Sequence, residues 1–555
     1  MKKKSYFTKS AAVIFLSFTV VMGGITPSYT DSKAKNNKPA PGVKSVSVLT
    51  GTTDTVKIKN VTKKTVKKLS VKSSKKAVAK VSPAGNGKKT GIKITAIKPG
   101  ASKITANIRL KNGKKYTFKI SVKVADEITR KTRILDGATE KVTDHIKLKF
   151  YKETPNVPYI DIANYYRYMT NGKELGITVS GQGVYLLSSA TGITGILDTE
   201  RDEFSSDDYA RFVETNIQSD VNSAYDGAPY LEPLPDTARK PAQKYSVSFS
   251  NYDIDVKGEN ENIFLPLQTA GVFFANFAGR CFFYDGTDIY LTKDLNKLRE
   301  LVYSSYTTDL INSLKNGIPS DLSSFNYNNI CFMMDNDYGN PGRSYISAGI
   351  ADKGFDKTLS ETDAATGRVK ELLMSRDFSE FLGGMHVINN IFYDGGHTHL
   401  DLINEYLYPK SRKKMTAHYE SLQEEFKALG YEMQPFGSIT NSELKACSEA
   451  RKKLGEGYYH TSGDTAVYSF DSFGFDVDAW NKYYKDGGEI PEDTFGTFMK
   501  SVNKAQADPN IKNFVLDLTC NSGGSTDVVS AMMGIMCDDP SFRTVKKTTK
   551  EIDEI

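Results

Sequence analysis

Between Val43 and Val124 apolar and polar residues alternate with a period of two, in runs separated by turn formers. The runs are Val43–Thr50, Thr55–Asn60, Val66–Val71, Ala77–Val81, Gly91–Ile97, Ala101–Leu110 and Lys115–Val124. Successive side chains of a strand point to opposite faces, so this pattern buries one face and exposes the other. Gly51, Asn60, the segment from Pro83 to Gly87, Pro99-Gly100 and Asn112-Gly113 supply the turns. About seven short strands with turns roughly every ten residues predict a β-sandwich.

Charge sets the same segment apart. Residues 31–124 hold about 25 lysines and arginines against two aspartates, roughly +23. The whole chain carries only +7. Once the four lysines before residue 31 are counted, residues 125–555 carry about −20. A very basic module is therefore joined to an acidic remainder. Lysines take the outward positions of the alternation, as in Val56-Lys57-Ile58-Lys59 and Ile120-Ser121-Val122-Lys123. Such a face suits anionic cell-wall polymers or glycans, and equally suits a solvated surface that keeps the module soluble. Nucleic acid is not expected as a partner of an exported chain without aromatic stacking platforms.

The first residues read as an export signal. Lys2, Lys3, Lys4 and Lys9 precede an apolar stretch from Ala11 to Met22, a length that suits a signal peptide and is short for a membrane span. Thr30 and Ala34 each have a small residue two positions earlier, which suits cleavage, and no Cys follows Gly23-Gly24 to carry a lipid anchor. The alternative is an uncleaved anchor. Five cysteines in 555 residues (Cys281, Cys331, Cys447, Cys520 and Cys537) are too sparse for a disulfide framework. One pair can form, but spacing does not choose it. Cys520 reads as a small packing residue.

The length predicts several domains, each able to bury its own core. The expected division is a signal peptide (1–34), a linker (35–42), the sandwich (43–124), an α+β accessory region (125–294), a helical region (295–455) and a final α/β part (456–555). In the accessory region two segments, from Val157 and from Ile263, each run from a short proline-containing strand into an aromatic-rich helix. Apolar strands at Gly183 and Asp288 follow them, suggesting a duplicated β-α-β unit. Their aromatic stripes read as core. Between 295 and 455 the runs LNKLRELVYSSYTTDLINSL and HYESLQEEFKALG have helical spacing.

Two segments carry possible chemistry. IFYDGGHTHLDL (391–402) contains His397 and His399, two of six histidines. His397, His399 and Asp401 alternate as zinc ligands on one strand face would, with His386, His418 or His460 as further candidates. The zinc-hydrolase pattern continues with another His, and here Leu402 stands there. The second segment, NFVLDLTCNSGGSTDVVSAMMGIM, reads as a buried strand, a glycine turn and a helix start. Glycines in that place leave backbone N–H groups free to meet an anion, as an oxyanion hole requires.

Taken in order, DGGHT, GDTAVYSFDSF and NFVLDLTCNSGG resemble the tail-specific (C-terminal processing) serine peptidases, in their tricorn-core-like branch without a PDZ domain. The sandwich, through VKSSKKAVAKVS, GIKITAIKPGASKITANI and NGKKYTFKISVKV, resembles a bacterial immunoglobulin-like domain of group 2. The first resemblance implies an incomplete ClpP/crotonase-like α/β peptidase core and no cofactor. It makes His397 the general base, Gly523 and Gly524 the oxyanion and substrate-binding turn, and a polypeptide the substrate. The second implies a surface spacer or adhesion module, on a secreted or cell-surface protein of a Gram-positive bacterium. The chain departs from the peptidase pattern in having Thr519 where Arg is usual and Gly396 before the His. The family's nucleophilic Ser lies roughly fifty or more residues beyond the glycine turn, whereas 31 residues follow Gly524 here. The nucleophile and its acidic partner are thus expected beyond Ile555. Ser525 is expected to continue the turn and Ser530 to face outward. The other reading is an adhesin or peptide-binding protein whose peptidase-like part is degenerate; a zinc-dependent hydrolase stands third.

Overall fold

The computed structural model describes residues 38–62, 64–84, 90–213, 228–231, 244–274, 281–284, 286–292, 317–338, 345–391, 409–431, 439–454 and 457–537. The chain is built of several units, β-rich at the start and mixed α and β afterwards.

The alternating segment forms two four-stranded sheets. One runs Ala40–Pro41, Thr53–Lys59, Gly91–Ala96, Ala79–Ala84; the other runs Ser45–Leu49, Lys115–Ala125, Gly100–Leu110, Val66–Ser73. Ile92, Ile94, Ile104 and Ile120 are fully buried between them, while Lys57, Lys59, Lys93 and Lys119 stay exposed. Burying each such aliphatic side chain contributes roughly 1.5–3 kcal/mol, so the odd–even pattern leaves little choice of register. Ser73 and Ser102 are buried but satisfy one another at 2.9 Å.

One expectation needs correcting at the start of the sandwich. Residues 35–42 are not simply linker: Ala40 and Pro41 pair with Lys59 and Ile58 as an edge strand, and the Gly42 N–H donates to the Lys57 carbonyl at 2.8 Å. A two-residue edge pairing carries no alternation signal, and proline is tolerated there because it need not donate.

Beyond Ala125 the chain forms a seven-stranded and a five-stranded sheet. In the seven-stranded sheet Tyr159–Asp161 lies antiparallel to Asn262–Pro266, with Tyr159 opposite Pro266. Each strand leads directly into a helix, Ile162–Met169 and Leu267–Phe273. The two expected units thus place their strand-to-helix steps side by side in one sheet. Their closing strands are not: Val184–Ser188 belongs to the five-stranded sheet and Ile289–Thr292 to the seven-stranded one. The aromatic stripes are core, with Tyr165, Tyr166, Phe273 and Phe274 buried in one another's ring contacts.

The described part of 295–455 is helical, in Ser320–Asp337, Tyr345–Lys353, Phe355–Glu361, Ala364–Leu373, Phe378–Ile391, Pro409–Ala428 and Ile439–Leu454. The run LNKLRELVYSSYTTDLINSL lies outside the described residues. A single buried cluster extends from Leu49 through the accessory sheets to Phe426. The division expected at 294/295 is thus not a core boundary: apolar helix faces such as Phe332 pack on Phe249 and Tyr252 of the accessory region.

The final unit has its own core, built on Tyr468, Phe470, Trp480, Phe495, Phe498, Val528 and Met532. The hairpin Tyr459–Ser462/Thr465–Ser469 is followed by helices Val477–Asp486 and Thr494–Ala507, and then by strand Asn513–Asp517. That strand pairs parallel with Thr465–Ser469, so the helices form a crossover connection. Helix Thr526–Met536 completes the unit. Asp493 organises this core: one oxygen caps the Thr494–Ala507 helix through Gly496 N–H (2.9 Å), and the other accepts from Trp480 Nε1 (2.6 Å). Among the described residues no helix is long and apolar enough to cross a membrane.

Candidate active site

The glycine turn sits where strand Asn513–Asp517 ends and helix Thr526–Met536 begins. It is held by backbone bonds to the segment after the parallel partner strand. Phe473 N–H donates to the Gly523 carbonyl at 2.8 Å, and Ser525 N–H donates to the Phe473 carbonyl at 2.7 Å. Ser522 N–H donates to the Asp471 carbonyl at 3.0 Å. Gly523 and Gly524 have φ of 93° and 149°, both favouring glycine. A Cβ on Gly524 would lie 2.3 Å from the Phe473 carbonyl oxygen, so this residue is glycine because two backbones touch there.

The two glycine amides are not equivalent. Gly523 N–H is taken by the Asn521 side chain, Oδ1 accepting at 2.8 Å. Gly524 N–H has no hydrogen-bond partner among the described residues and is only partly buried. Of the two residues expected to form an oxyanion turn, Gly524 is the one with an open donor. The adjoining helix N-terminus is already served, since Ser525 Oγ accepts from Asp527 N–H at 3.1 Å. Asp527 also places a buried carboxylate in the first turn, which accepts from Ala228 N–H at 2.9 Å. A negative group there satisfies the helix dipole internally.

Ser525 is thus a cap as well as part of the turn. Ser530, expected to face outward, is instead buried at 9% exposure. The apolar face of the helix turns toward Phe498 and Tyr468, and a small hydroxyl is carried in with it. Neither serine is placed as a nucleophile.

Beneath the turn lies a charged cluster. Asp517 accepts from Thr519 through both its N–H (2.9 Å) and its hydroxyl, from Ser469 Oγ (2.8 Å), and from Arg451 Nη2 (3.0 Å). Partial burial alone would raise its pKa; those hydrogen bonds and the guanidinium outweigh it and hold the carboxyl down at about 2. Arg451 also pairs with Asp471, and Ser448 Oγ donates to Asp471 at 2.8 Å. The cation on Asp517 comes from helix Ile439–Leu454. This clamp ties helix Ile439–Leu454 to the final unit across the division expected at 455/456.

Sequence reading missed Arg451, Ser448 and Asp471 as partners. Arg451 lies in an Arg-Lys-Lys run at a helix C-terminus, a pattern normally explained by the helix dipole alone. His397, His399 and Asp401 lie outside the described residues. Of the other histidines named for a zinc site, His386 is buried and stacks on Tyr419, with ring centroids 4.5 Å apart. His418 Nε2 lies 3.7 Å from Glu380, and His460 sits in a strand opposite Val467. Among the described residues no group of three or more His, Cys, Asp or Glu is placed to hold a metal.

No protein-family model matches the chain, and no curated protein does. Among solved structures, domains 4 and 5 of the S-layer protein SbsC are similar at 24% identity. That match covers 16% of this chain and 45% of that chain, with a TM-score of 0.14. A longer structure, SbsC domains 4–9, is similar at 13% identity over 41% of this chain and 27% of that chain, with a TM-score of 0.13. The chain thus spans less than half the length of either, and likenesses at such scores carry no argument.

Proposed function

We propose that the chain belongs to an exported serine endopeptidase of the tail-specific kind, acting on polypeptides without a cofactor. The observation that carries this reading is the open Gly524 N–H, fixed by two backbone hydrogen bonds at a strand-to-helix turn. In this reading His397 takes the proton of a serine hydroxyl supplied from beyond Ile555. The serine oxygen attacks the scissile carbonyl carbon, and the developing oxyanion accepts from Gly524 N–H. Such a donor lowers the barrier by roughly 3 kcal/mol, provided it is fixed before the reaction begins. The Gly523 amide, bonded to Asn521, serves the shape of the turn. The incomplete ClpP/crotonase-like core belongs to this proposal. Supporting it is the parallel strand pair with its crossover helices.

The test uses the chain continued through the reading frame that follows codon 555, treated with a fluorophosphonate probe. One serine should be labelled, and His397→Ala should slow labelling by at least about a hundredfold. Labelling of no serine, or labelling indifferent to His397→Ala, would refute the assignment.

A second reading concerns the sandwich, whose exposed lysine faces favour retention on anionic wall polymers or glycans at the cell surface. Binding to a polyphosphate matrix should weaken steeply as salt shortens the screening length to below about 8 Å. Salt-insensitive binding, or none, would remove this role.

A further inference from the structure

The final unit is completed by a segment from far away in the chain. The chain leaves the accessory region after helix Tyr209–Phe212 and returns in strand Tyr245–Ser248, which pairs with Glu203–Ser206 beside its point of departure. Between these points residues 228–231 lie in the final unit. Tyr230 stacks on Phe495 with ring centroids 4.2 Å apart, and meets Trp480 and Phe475 edge-on at 4.9 and 6.1 Å. Leu231 packs against the same core. Ala228 N–H donates to the buried Asp527 carboxylate at 2.9 Å, across 299 positions of sequence.

Both sides of this contact are shaped in advance. Leu231 N–H donates to the Ala228 carbonyl at 3.1 Å, closing a four-residue turn, and Pro229 at its second position has the fixed φ such a turn needs. On the other side, Trp480 stands on helix Val477–Asp486 and Phe495 in the first turn of helix Thr494–Ala507. Asp493 ties the two together through Trp480 Nε1 and Gly496 N–H. A ligand and a wall that are each ordered before they meet lose little conformational entropy on docking.

We propose that Phe475, Trp480, Phe495 and Asp527 form a recognition site for a proline–tyrosine turn, and that residues 228–231 fill it in cis as a strap between the accessory region and the final unit. The aromatic walls take the tyrosine ring, for which edge-on and offset-stacked neighbours are the favourable geometries. Asp527 takes the backbone N–H two residues before that tyrosine. Ala228 is wholly buried, so the site accepts only a small residue there. The ligand class is therefore a peptide turn of the order small residue, proline, tyrosine, apolar residue. Asp527 stands in the first turn of the helix that follows Gly524, so the strap joins the five-stranded accessory sheet to the element that bounds the glycine turn.

The inference goes beyond the peptidase reading and does not depend on it, because the experiment reads binding alone. Tyr230→Ala in the full chain empties the aromatic pocket. A fluorescein-labelled peptide of residues 226–233, DGAPYLEP, is then titrated with each chain and followed by anisotropy. It should bind the variant at least about tenfold more tightly than the unaltered chain, whose own segment competes at an effective concentration in the millimolar range. The same peptide with alanine in place of tyrosine should bind neither. Equal binding to the two chains, binding indifferent to the tyrosine, or no binding to a folded variant would overturn the proposal. If Tyr230→Ala unfolds the final unit, the peptide should restore the emission of the buried Trp480, and failure to restore it would overturn the proposal as well. Competition in the unaltered chain that disappears on dilution would put a second copy's segment in the site and overturn the strap in cis.

Discussion

Alanine at Gly524 is expected to disrupt the final unit far more than alanine at Gly523, although both residues have positive φ. At Gly523 the added methyl meets nothing within 4 Å, so only the backbone preference is lost, roughly 1–2 kcal/mol. At Gly524 the methyl would lie 2.3 Å from the Phe473 oxygen and 2.6 Å from its carbonyl carbon and nitrogen. All three are backbone atoms, so relief requires moving one chain segment away by about 1 Å to reach ordinary contact. That movement breaks the Phe473 N–H to Gly523 bond and the Ser525 N–H to Phe473 bond, 2.8 and 2.7 Å long. At about 1 kcal/mol net for each bond, added to the same backbone cost, the total is roughly 3–4 kcal/mol. The chain has one tryptophan, Trp480, buried in this unit, so its fluorescence in the full chain reports this unit specifically. A difference of about 2 kcal/mol between the variants should separate their urea midpoints by about 1 M. Equal midpoints, or a lower midpoint for Gly523→Ala, would refute the reasoning that backbone contact decides the outcome.

The Asp517 carboxyl, held at about 2 against an ordinary 3.8, favours the folded state above pH 3.8 and loses that contribution as pH falls toward 2. With the side chain one-quarter exposed, the contribution is roughly 1–2 kcal/mol after solvent screening. Asp517→Asn should flatten the acid unfolding profile of Trp480 fluorescence over that window, and an unchanged profile would count against the Arg451 clamp. Asp493→Ala should cost roughly 2–3 kcal/mol by removing a helix cap and the Trp480 partner together. Asp493→Asn should cost less, since asparagine still caps, and a larger loss for Asn than for Ala in a urea titration would contradict that account.

The parts of this fold legible in the sequence are those whose cause is local. The sandwich alternation placed a strand at Gly91–Ile97 and the structure has Gly91–Ala96; it placed another at Ala101–Leu110 and the structure has Gly100–Leu110. The buried face of each strand is written into every second residue, and the turns carry their own glycines. The Ala40–Pro41 pairing was invisible because two residues cannot show a period. In the accessory region Tyr165 and Tyr166 were recognisable as core from helical spacing. That Tyr159 would lie opposite Pro266 was not, because strand partners so distant in sequence are chosen by packing of the whole sheet.

The candidate site divides along the same line, and Asp517 shows why within a single side chain. Its bond to Thr519 spans two residues and belongs to the strand-end turn that the run DLTCNSGG announces. Its bond to Arg451 spans 66 residues and depends on how a helix docks. Charge alone would leave that arginine on a solvated helix end. Cys520, by contrast, is buried as its sequence reading as a small packing residue expects. Local chemistry shaped the turn that offers Gly524 N–H; tertiary packing supplied the cation beneath it. A helix tied down by Ser448 and Arg451 at once is held at two points within about one turn, which fixes its rotation as well as its position. Loosening either of them should therefore disturb the turn through Asp471 and Asp517 rather than through the glycines themselves.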